Sequence, residues 1–233
     1  MQFGTQIASV FYPKVSILYQ ENNGNKKVSE LFVRVGRMTF MVIMLILSGF
    51  IAFGKEFLMI WVGTGYTEAY YVSIVVMIPF SVDLAQNLAL AILQVKKQYG
   101  FRAKIYFLSA VINIITTIIF ASYFGIVGAA ISTGLSMTIT SGFIMNWYYL
   151  KKAELDIAKF WKESIPVIMV AIVMSCISCL LKRGEGVKNV SVVHFGIEVL
   201  IYSVVYAFIM YLCVMKSDEK EQIFNLVKHK KKI

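Results

Sequence analysis

The chain has 233 residues, of which 58% are hydrophobic and 15% are charged, and its formal net charge is +10. Soluble domains are about 45–50% apolar and about 25% charged, so this composition excludes an ordinary soluble protein. The lysines and arginines lie beside apolar stretches, where such residues set membrane orientation, and nucleic acid is therefore not an expected partner. We predict an all-α, polytopic membrane helix bundle with about seven transmembrane helices.

Seven apolar stretches follow one another, each close to the roughly 20 residues that an α-helix needs to cross a bilayer. They make up a predicted transmembrane region over residues 1–215, followed by a basic cytoplasmic tail over 216–233. The predicted spans are residues 1–20, 38–54, 70–94, 104–122, 125–150, 164–181 and 193–215.

The connections between these spans differ in charge when they are sorted by side. One set, which includes the tail, holds 18 lysines and arginines, whereas the other set holds 4. Positive residues concentrate on the cytoplasmic side of membrane proteins. We therefore expect the N-terminus to lie outside and the C-terminus to lie in the cytoplasm.

Two segments on the predicted cytoplasmic side are amphipathic. Residues 28–38 place Val28 and Phe32 on one helical face, and residues 155–164 do the same with Phe160 and its neighbours. Such segments are typical of short helices lying in the membrane interface. The alternative is a pair of solvated turns.

The third span carries a polar stripe inside an apolar stretch. Asp83, Gln86 and Asn87 stand at i, i+3 and i+4, and Gln94 returns to the same side if the helix is continuous. A carboxylate facing lipid costs about 2.5 kcal/mol or more, so this face should point to a bundle interior or a wet cavity. Two roles stay open: lining a substrate or ion pathway, or hydrogen bonding to a neighbouring helix. Pro79, one turn earlier, predicts a kink.

Lys14, in the first span, is the other costly charge. It either snorkels to the interface or faces a cavity and meets an anionic headgroup.

Small residues open the fifth span and predict close helix packing. They are Gly125, Gly128, Ala129 and Ser132.

Signals for catalysis and for metal binding are weak. The three cysteines have no second Cys-x-x-Cys pair and no histidine partner, and the chain has no His-Glu-x-x-His motif and no glycine-rich phosphate loop. We expect no enzyme, no metal site and no cofactor. A coupling cation, H⁺ or Na⁺, stays open.

Four stretches carry motifs in a characteristic order. They are the Pro-x-x-Ser of FYPKVS at Pro13 and Ser16, the outer stretch WVGTGYTEA with Gly63 or Gly65, Tyr66 and Ala69, the sequence NIITTIIFASYFGIVGAA with Asn113, Gly125, Gly128, Ala129 and Ala130, and the segment NWYYLKKAELDIAKFWKE. Their order and spacing resemble the polysaccharide export family of flippases, within the multidrug/oligosaccharidyl-lipid/polysaccharide exporter superfamily. The resemblance extends over nearly the whole chain.

This resemblance implies a MATE-like transporter of two lobes with about 12 to 14 helices, of which these would be the last seven. It implies a carrier in the bacterial cytoplasmic membrane that moves a polyprenyl-pyrophosphate-linked oligosaccharide between leaflets by alternating access. Lys14 would attract the headgroup, and Asp83, Gln86 and Asn87 would line the cavity or couple to an ion. Implied partners are membrane lipids, the missing N-terminal lobe or a second copy, and a polysaccharide polymerase and glycosyltransferases.

Other functions stay open at this point. In a cation-coupled multidrug exporter of the same superfamily, Asp83 would be the proton or sodium site. A non-transporting scaffold would hold polysaccharide enzymes through its basic loops. An integral-membrane glycosyltransferase is the least favoured alternative, because the sequence shows no acidic catalytic loop.

Overall fold

The computed structural model describes residues 2–63, 65–182, 192–217 and 219–220, so most of the predicted tail lies outside the described residues. Every regular element in this part of the chain is helical, which confirms the predicted all-α fold. The elements are α1 (Gln2–Gln20), α2 (Gly24–Trp61), α3 (Thr67–Ala85), α4 (Leu88–Val95), α5 (Tyr99–Met137), a π-helical segment (Thr138–Met145), α6 (Asn146–Lys151), α7 (Ile157–Leu181), α8 (Val192–Ile209) and a second π-helical segment (Met210–Val214).

Five helical segments among the described residues are long and apolar enough to cross a membrane. This finding supports a polytopic bundle. The segments are Gly24–Trp61, Glu68–Ala85, Tyr99–Lys151, Ile157–Leu181 and Val192–Val214. Helix α2 lies at the centre and contacts α1, α3, α4, α7 and α8.

The segment Tyr99–Lys151 folds back on itself at Gly125. Gly125 has φ 58° and ψ −141°, a combination that is essentially restricted to glycine because it has no side chain. A Cβ added there would meet nothing within 4 Å. The prediction that Gly125 packs against a helix is therefore wrong, and this residue makes the turn between two antiparallel arms.

Gly128 and Ser132, just after the turn, lie against the first arm. A Cβ at Gly128 would stand 2.1 Å from the carbonyl oxygen of Phe120. Ser132 is buried, and its hydroxyl donates to Asn113 Oδ1 at 3.0 Å. These small residues allow the two backbones to approach closely.

Helix α2 runs through both the predicted amphipathic segment 28–38 and the predicted span 38–54. Its 38 residues correspond to about 57 Å, well beyond a hydrocarbon core of roughly 30 Å. Phe32 is fully buried, 5.6 Å between ring centroids from Phe160 of the second amphipathic segment. The prediction of two separate interfacial helices is therefore wrong, because their apolar faces pack on each other instead of on lipid.

The third predicted span is divided. Helix α3 ends at Ala85 and α4 begins at Leu88, with Gln86 and Asn87 in the turn between them. The assumption of one polar stripe along a continuous helix therefore fails beyond Asn87, and Gln94 is exposed on α4.

Pro79 lies inside α3 and cannot donate to the carbonyl of Val75, one turn earlier. The glycine at position 134 packs against that carbonyl. A Cβ added to Gly134 would lie 2.9 Å from the Val75 oxygen. The freed carbonyl is thus a point of close contact between α3 and the second arm of α5.

One end of the bundle gathers the basic connections. We call it the basic end; it consists of residues 21–37, 96–98, 151–160, 214–217 and 219–220. Its contacts join Asn25 to Glu154, Asp156 to Ser29, Lys96 to Ala153 and Arg37 to Val214. The structure therefore brings together connections that the charge count assigns to one side, while their orientation in the cell stays a prediction.

The opposite end carries Lys55 and Lys182. Lys182 pairs with Glu56 and, at 2.8 Å, with Glu198, and these contacts join α2, α7 and α8. The ammonium group of Lys55 lies over the Tyr70 ring, 5.2 Å from its centroid.

Candidate functional site

Asp83 of α3 lies in a closed polar cluster among the helices. Its Oδ1 accepts hydrogen bonds from Arg102 Nη2 at 3.2 Å, from the Tyr106 hydroxyl and from Ser141 Oγ at 3.3 Å. The side chains of Asp83 and Arg102 are 17% and 10% exposed. The carboxylate is therefore neutralised by a cation from α5 rather than left to lipid.

Arg102 is held by two further contacts. Its Nη1 donates to the Tyr149 hydroxyl at 2.8 Å, and its guanidinium lies 4.6 Å from the centroid of the Tyr106 ring. Tyr149 is 2% exposed. Because ionic pairs hold their geometry when their remaining hydrogen-bonding groups are satisfied, this cluster fixes α3, α5 and α6 relative to one another.

A second set of hydrogen bonds extends the cluster through amide side chains. Gln86 Nε2 donates to Asn146 Oδ1 at 2.8 Å, and Asn146 Nδ2 donates to the carbonyl oxygens of Ser141 and Gly142, both at 2.8 Å. These carbonyls belong to the π-helical segment Thr138–Met145, where the regular α-helical pattern is interrupted. Asn146 thus satisfies the irregular backbone and connects it to the turn that follows α3.

The basic end contains a different kind of polar site, a cavity of 430 Å³ formed by α1, α2, α7 and the residues after α8. We call it the basic-end cavity. Its charged lining consists of five cations and three carboxylates. The lining residues are Lys14, Leu18, Lys27, Glu30, Leu31, Val33, Arg34, Lys159, Glu163, Lys216 and Glu219.

Two carboxylates of the basic-end cavity are neutralised by neighbouring cations. Arg37, 3% exposed, lies 3.7 Å from Glu163 and 3.6 Å from Glu219, and it also donates to the carbonyl of Val214. Lys216 Nζ lies 2.6 Å from Glu163. These ion pairs attach the chain after α8 to α2 and α7.

Two cations of the same cavity lack such partners. In the described part of the chain, no ion pair joins Lys14 or Lys159 to a carboxylate, whereas Lys27 pairs with Glu21. Lys14 is exposed on α1. The lining therefore has unneutralised positive charge on two of its sides, which favours an anionic ligand.

Lys96, at the basic end, contacts two other segments of the chain. Its ammonium donates to the carbonyl of Ala153 at 2.6 Å and lies 5.6 Å from the centroid of the Tyr19 ring. Burial lowers the pKa of Lys96 from its usual range, and the carboxylate of Glu154 opposes this effect. Lys96 therefore has a packing role between α1, α4 and the segment before α7.

The four candidate pathway residues divide between these places. Lys14 lines the basic-end cavity, and Asp83 and Gln86 belong to the closed cluster. Asn87 is 5% exposed in the turn between α3 and α4. Whether any of them serves a pathway stays a prediction.

Arg102 was not predicted as a site residue, because it lies among the cations of a connection between two predicted spans. The feature of the sequence that could have indicated its role is its position four residues before Tyr106, which puts both side chains on one face of α5. Arg37 was not predicted either, because its partners come from α7 and from beyond α8, far away in the sequence. Among the described residues, no group of three or more histidine, cysteine, aspartate or glutamate side chains is placed to hold a metal ion.

Comparison with known proteins identifies relatives of this chain. A family model described as lipid II flippase MurJ matches residues 2–195. The probable low-salt glycan biosynthesis flippase Agl15 of Haloferax volcanii is 28% identical over 153 residues, which are 64% of this chain and 31% of that protein. The chain thus spans less than a third of the length of this relative. No solved structure matches the chain.

Proposed function

Since the chain belongs to the lipid II flippase MurJ family, we propose that it is part of a carrier that moves a lipid-linked oligosaccharide from the inner to the outer leaflet of the bacterial cytoplasmic membrane. The observation that carries this proposal is the family match over residues 2–195. The five apolar helical segments support it, because such a carrier must reside in the bilayer.

The physical task of this carrier is to take a diphosphate and several sugars through hydrocarbon. A cavity that opens to one side at a time and a lateral gap for the lipid chain would meet it. We propose that the chain supplies the second of two lobes, which rock about a central site. The other lobe would be a further segment of the natural protein or a second copy.

Of the candidate pathway residues, Lys14 is the one that we assign to headgroup attraction, because it lines a cavity with unneutralised charge. The contacts of Asp83 with Arg102 and Tyr106 favour a packing role. Gln86 and Asn87, both buried, are assigned the same role. If a cation is coupled to transport, H⁺ and Na⁺ are both compatible with this assignment.

Reconstitution of the complete natural protein into vesicles tests the proposal. A lipid-linked oligosaccharide placed in one leaflet should reach the other faster than in protein-free vesicles, and a soluble glycosidase added outside would report its arrival. An unchanged rate with folded protein would overturn the flippase assignment. Drug efflux without movement of the lipid would instead identify a multidrug exporter, and co-purification of polymerase or glycosyltransferases without either activity would identify a scaffold.

A further inference from the structure

The basic-end cavity receives its free cations from separate helices. Lys14 comes from α1 and Lys159 from the first turn of α7, and both line the same 430 Å³ space. The backbone N–H of Lys159 is already used by Asp156, which caps α7. Two ammonium groups held on different helices can approach one multivalent anion from two sides.

The protein itself neutralises most of the negative charge in this cavity. Glu163 and Glu219 are paired with Arg37, and Lys216 adds a second cation to Glu163. Glu219 also accepts a hydrogen bond from the backbone N–H of Lys216 at 2.9 Å. An anion entering the cavity would therefore meet two carboxylates that are already compensated and a third, Glu30, together with the uncompensated cations Lys14 and Lys159.

Apolar surface adjoins these cations. Leu18, Leu31 and Val33 line the cavity. On α1, Val10 and Ile17 flank Lys14 at i−4 and i+3, and they are 73% and 63% exposed. A soluble anion gains nothing from such a flank, whereas a lipid can place its chain along it.

On the basis of the proposed function, we infer that the basic-end cavity binds the phosphate-bearing headgroup of a lipid in the adjoining leaflet. Lys14 and Lys159 contact the phosphate, and the exposed face of α1 contacts the lipid chain. Two lipid sources share this chemistry: an anionic membrane phospholipid and the prenyl diphosphate of a lipid-linked glycan.

Native mass spectrometry of the purified full-length protein tests the site without requiring transport. The probes are phosphatidylglycerol, farnesyl diphosphate, inorganic pyrophosphate and, as the reference lipid without net charge, phosphatidylcholine. We expect one or both phosphate-bearing anionic lipids to bind more tightly than phosphatidylcholine and inorganic pyrophosphate. Tighter binding of phosphatidylglycerol would identify a membrane phospholipid as the ligand, and tighter binding of farnesyl diphosphate would identify the glycan carrier.

The double variant Lys14→Gln with Lys159→Gln should weaken binding of the preferred lipid by roughly tenfold. Its matched control is Lys104→Gln with Lys151→Gln, which removes the same charge from exposed residues that line neither described cavity. The control should change affinity by less than about twofold. Glu30→Gln, which removes a carboxylate from the lining, should strengthen binding.

Equal losses in the cavity pair and in the control pair would show a general effect of positive charge and overturn the site. Binding of inorganic pyrophosphate as tight as that of either lipid would overturn the lipid headgroup as ligand. Because binding is measured apart from flipping, a protein that binds lipid but moves none would overturn the proposed function and leave this site intact.

Discussion

The cluster around Asp83 and the basic-end cavity both contain charged side chains. In the cluster the protein pairs the carboxylate with a cation, whereas the cavity contains cations without a carboxylate partner among the described residues. Asp83 accepts three hydrogen bonds from Arg102, Tyr106 and Ser141, all supplied by the protein. At the cavity, Lys14 and Lys159 have no carboxylate partner in the described part of the chain. A charge that is paired within the protein holds helices together, whereas a charge without a partner in the protein is available to bind a ligand.

This difference also matters for candidate sites in membrane proteins generally. An ionisable residue within an apolar span is a functional hypothesis by default. Here the carboxylate that stands out most in the sequence, Asp83, has a partner 19 positions away. The cavity cations are the better candidates for binding: Lys14, which the sequence also singles out, and Lys159, which resembles an ordinary loop lysine.

The largest expected effect of a single substitution on stability is that of Arg102→Met. It leaves the Asp83 carboxylate without its cation in a partly buried site, and removal of one partner from such a pair costs about 3–5 kcal/mol. Thermal unfolding in detergent measures the loss. Lys14→Gln should stay within about 0.5 kcal/mol of wild type. Similar losses for both variants would remove the contrast between the two sites.

Gly128→Ala tests the hairpin that brings Ser141 and Tyr149 to Arg102. The new methyl group would stand 2.1 Å from the Phe120 carbonyl oxygen, so the arms must separate, at a cost of about 1–3 kcal/mol. Gly100→Ala is the matched control, because a Cβ there meets nothing within 4 Å and alanine favours the helix by about 0.5–1 kcal/mol. Equal unfolding temperatures for the two variants would contradict the close packing at Gly128.

Asn146→Leu should have an intermediate effect. It removes the acceptor of Gln86 and the donor to two carbonyls of the π-helical segment, and a buried polar group left without a partner costs about 1–3 kcal/mol. When Gln86→Leu is added to Asn146→Leu, the further loss of stability should be smaller than the loss that Gln86→Leu causes in the wild-type protein, because the two side chains share one hydrogen bond. Strict additivity in denaturant unfolding would contradict this coupling.

Salt should affect the two sites to different extents, and this is the smallest of the expected effects. Raising ionic strength from 0.15 M to 1 M shortens the Debye length from about 8 Å to about 3 Å. Headgroup binding at the exposed Lys14 should weaken several-fold, while the stability difference between wild type and Arg102→Met should change little. A strong salt dependence of that stability difference would indicate that the Asp83 cluster is open to solvent.

Much of the architecture was predictable because hydrophobicity and segment length act locally. The apolar stretches predict the helices, and the glycine at 125 lies at the boundary between two predicted spans. The Asp83–Arg102 pair was not predictable from local pattern, because Arg102 follows two lysines in a connection that reads as ordinary loop charge. The π-helical segment leaves no mark in the periodicity, and the basic-end cavity requires α1, α2, α7 and residues after α8 to meet.

The measurement that tests the central claim most directly compares two charge-removing double variants of the complete protein in one flipping assay. Asp83→Leu with Arg102→Met removes both members of the closed pair, a change that is often neutral for stability when volume is kept. Lys14→Gln with Lys159→Gln removes the open charges. At matched protein amount and unfolding temperature, the first variant should retain movement of lipid-linked oligosaccharide and the second should lose most of it. Loss in the first variant with retention in the second would contradict the account.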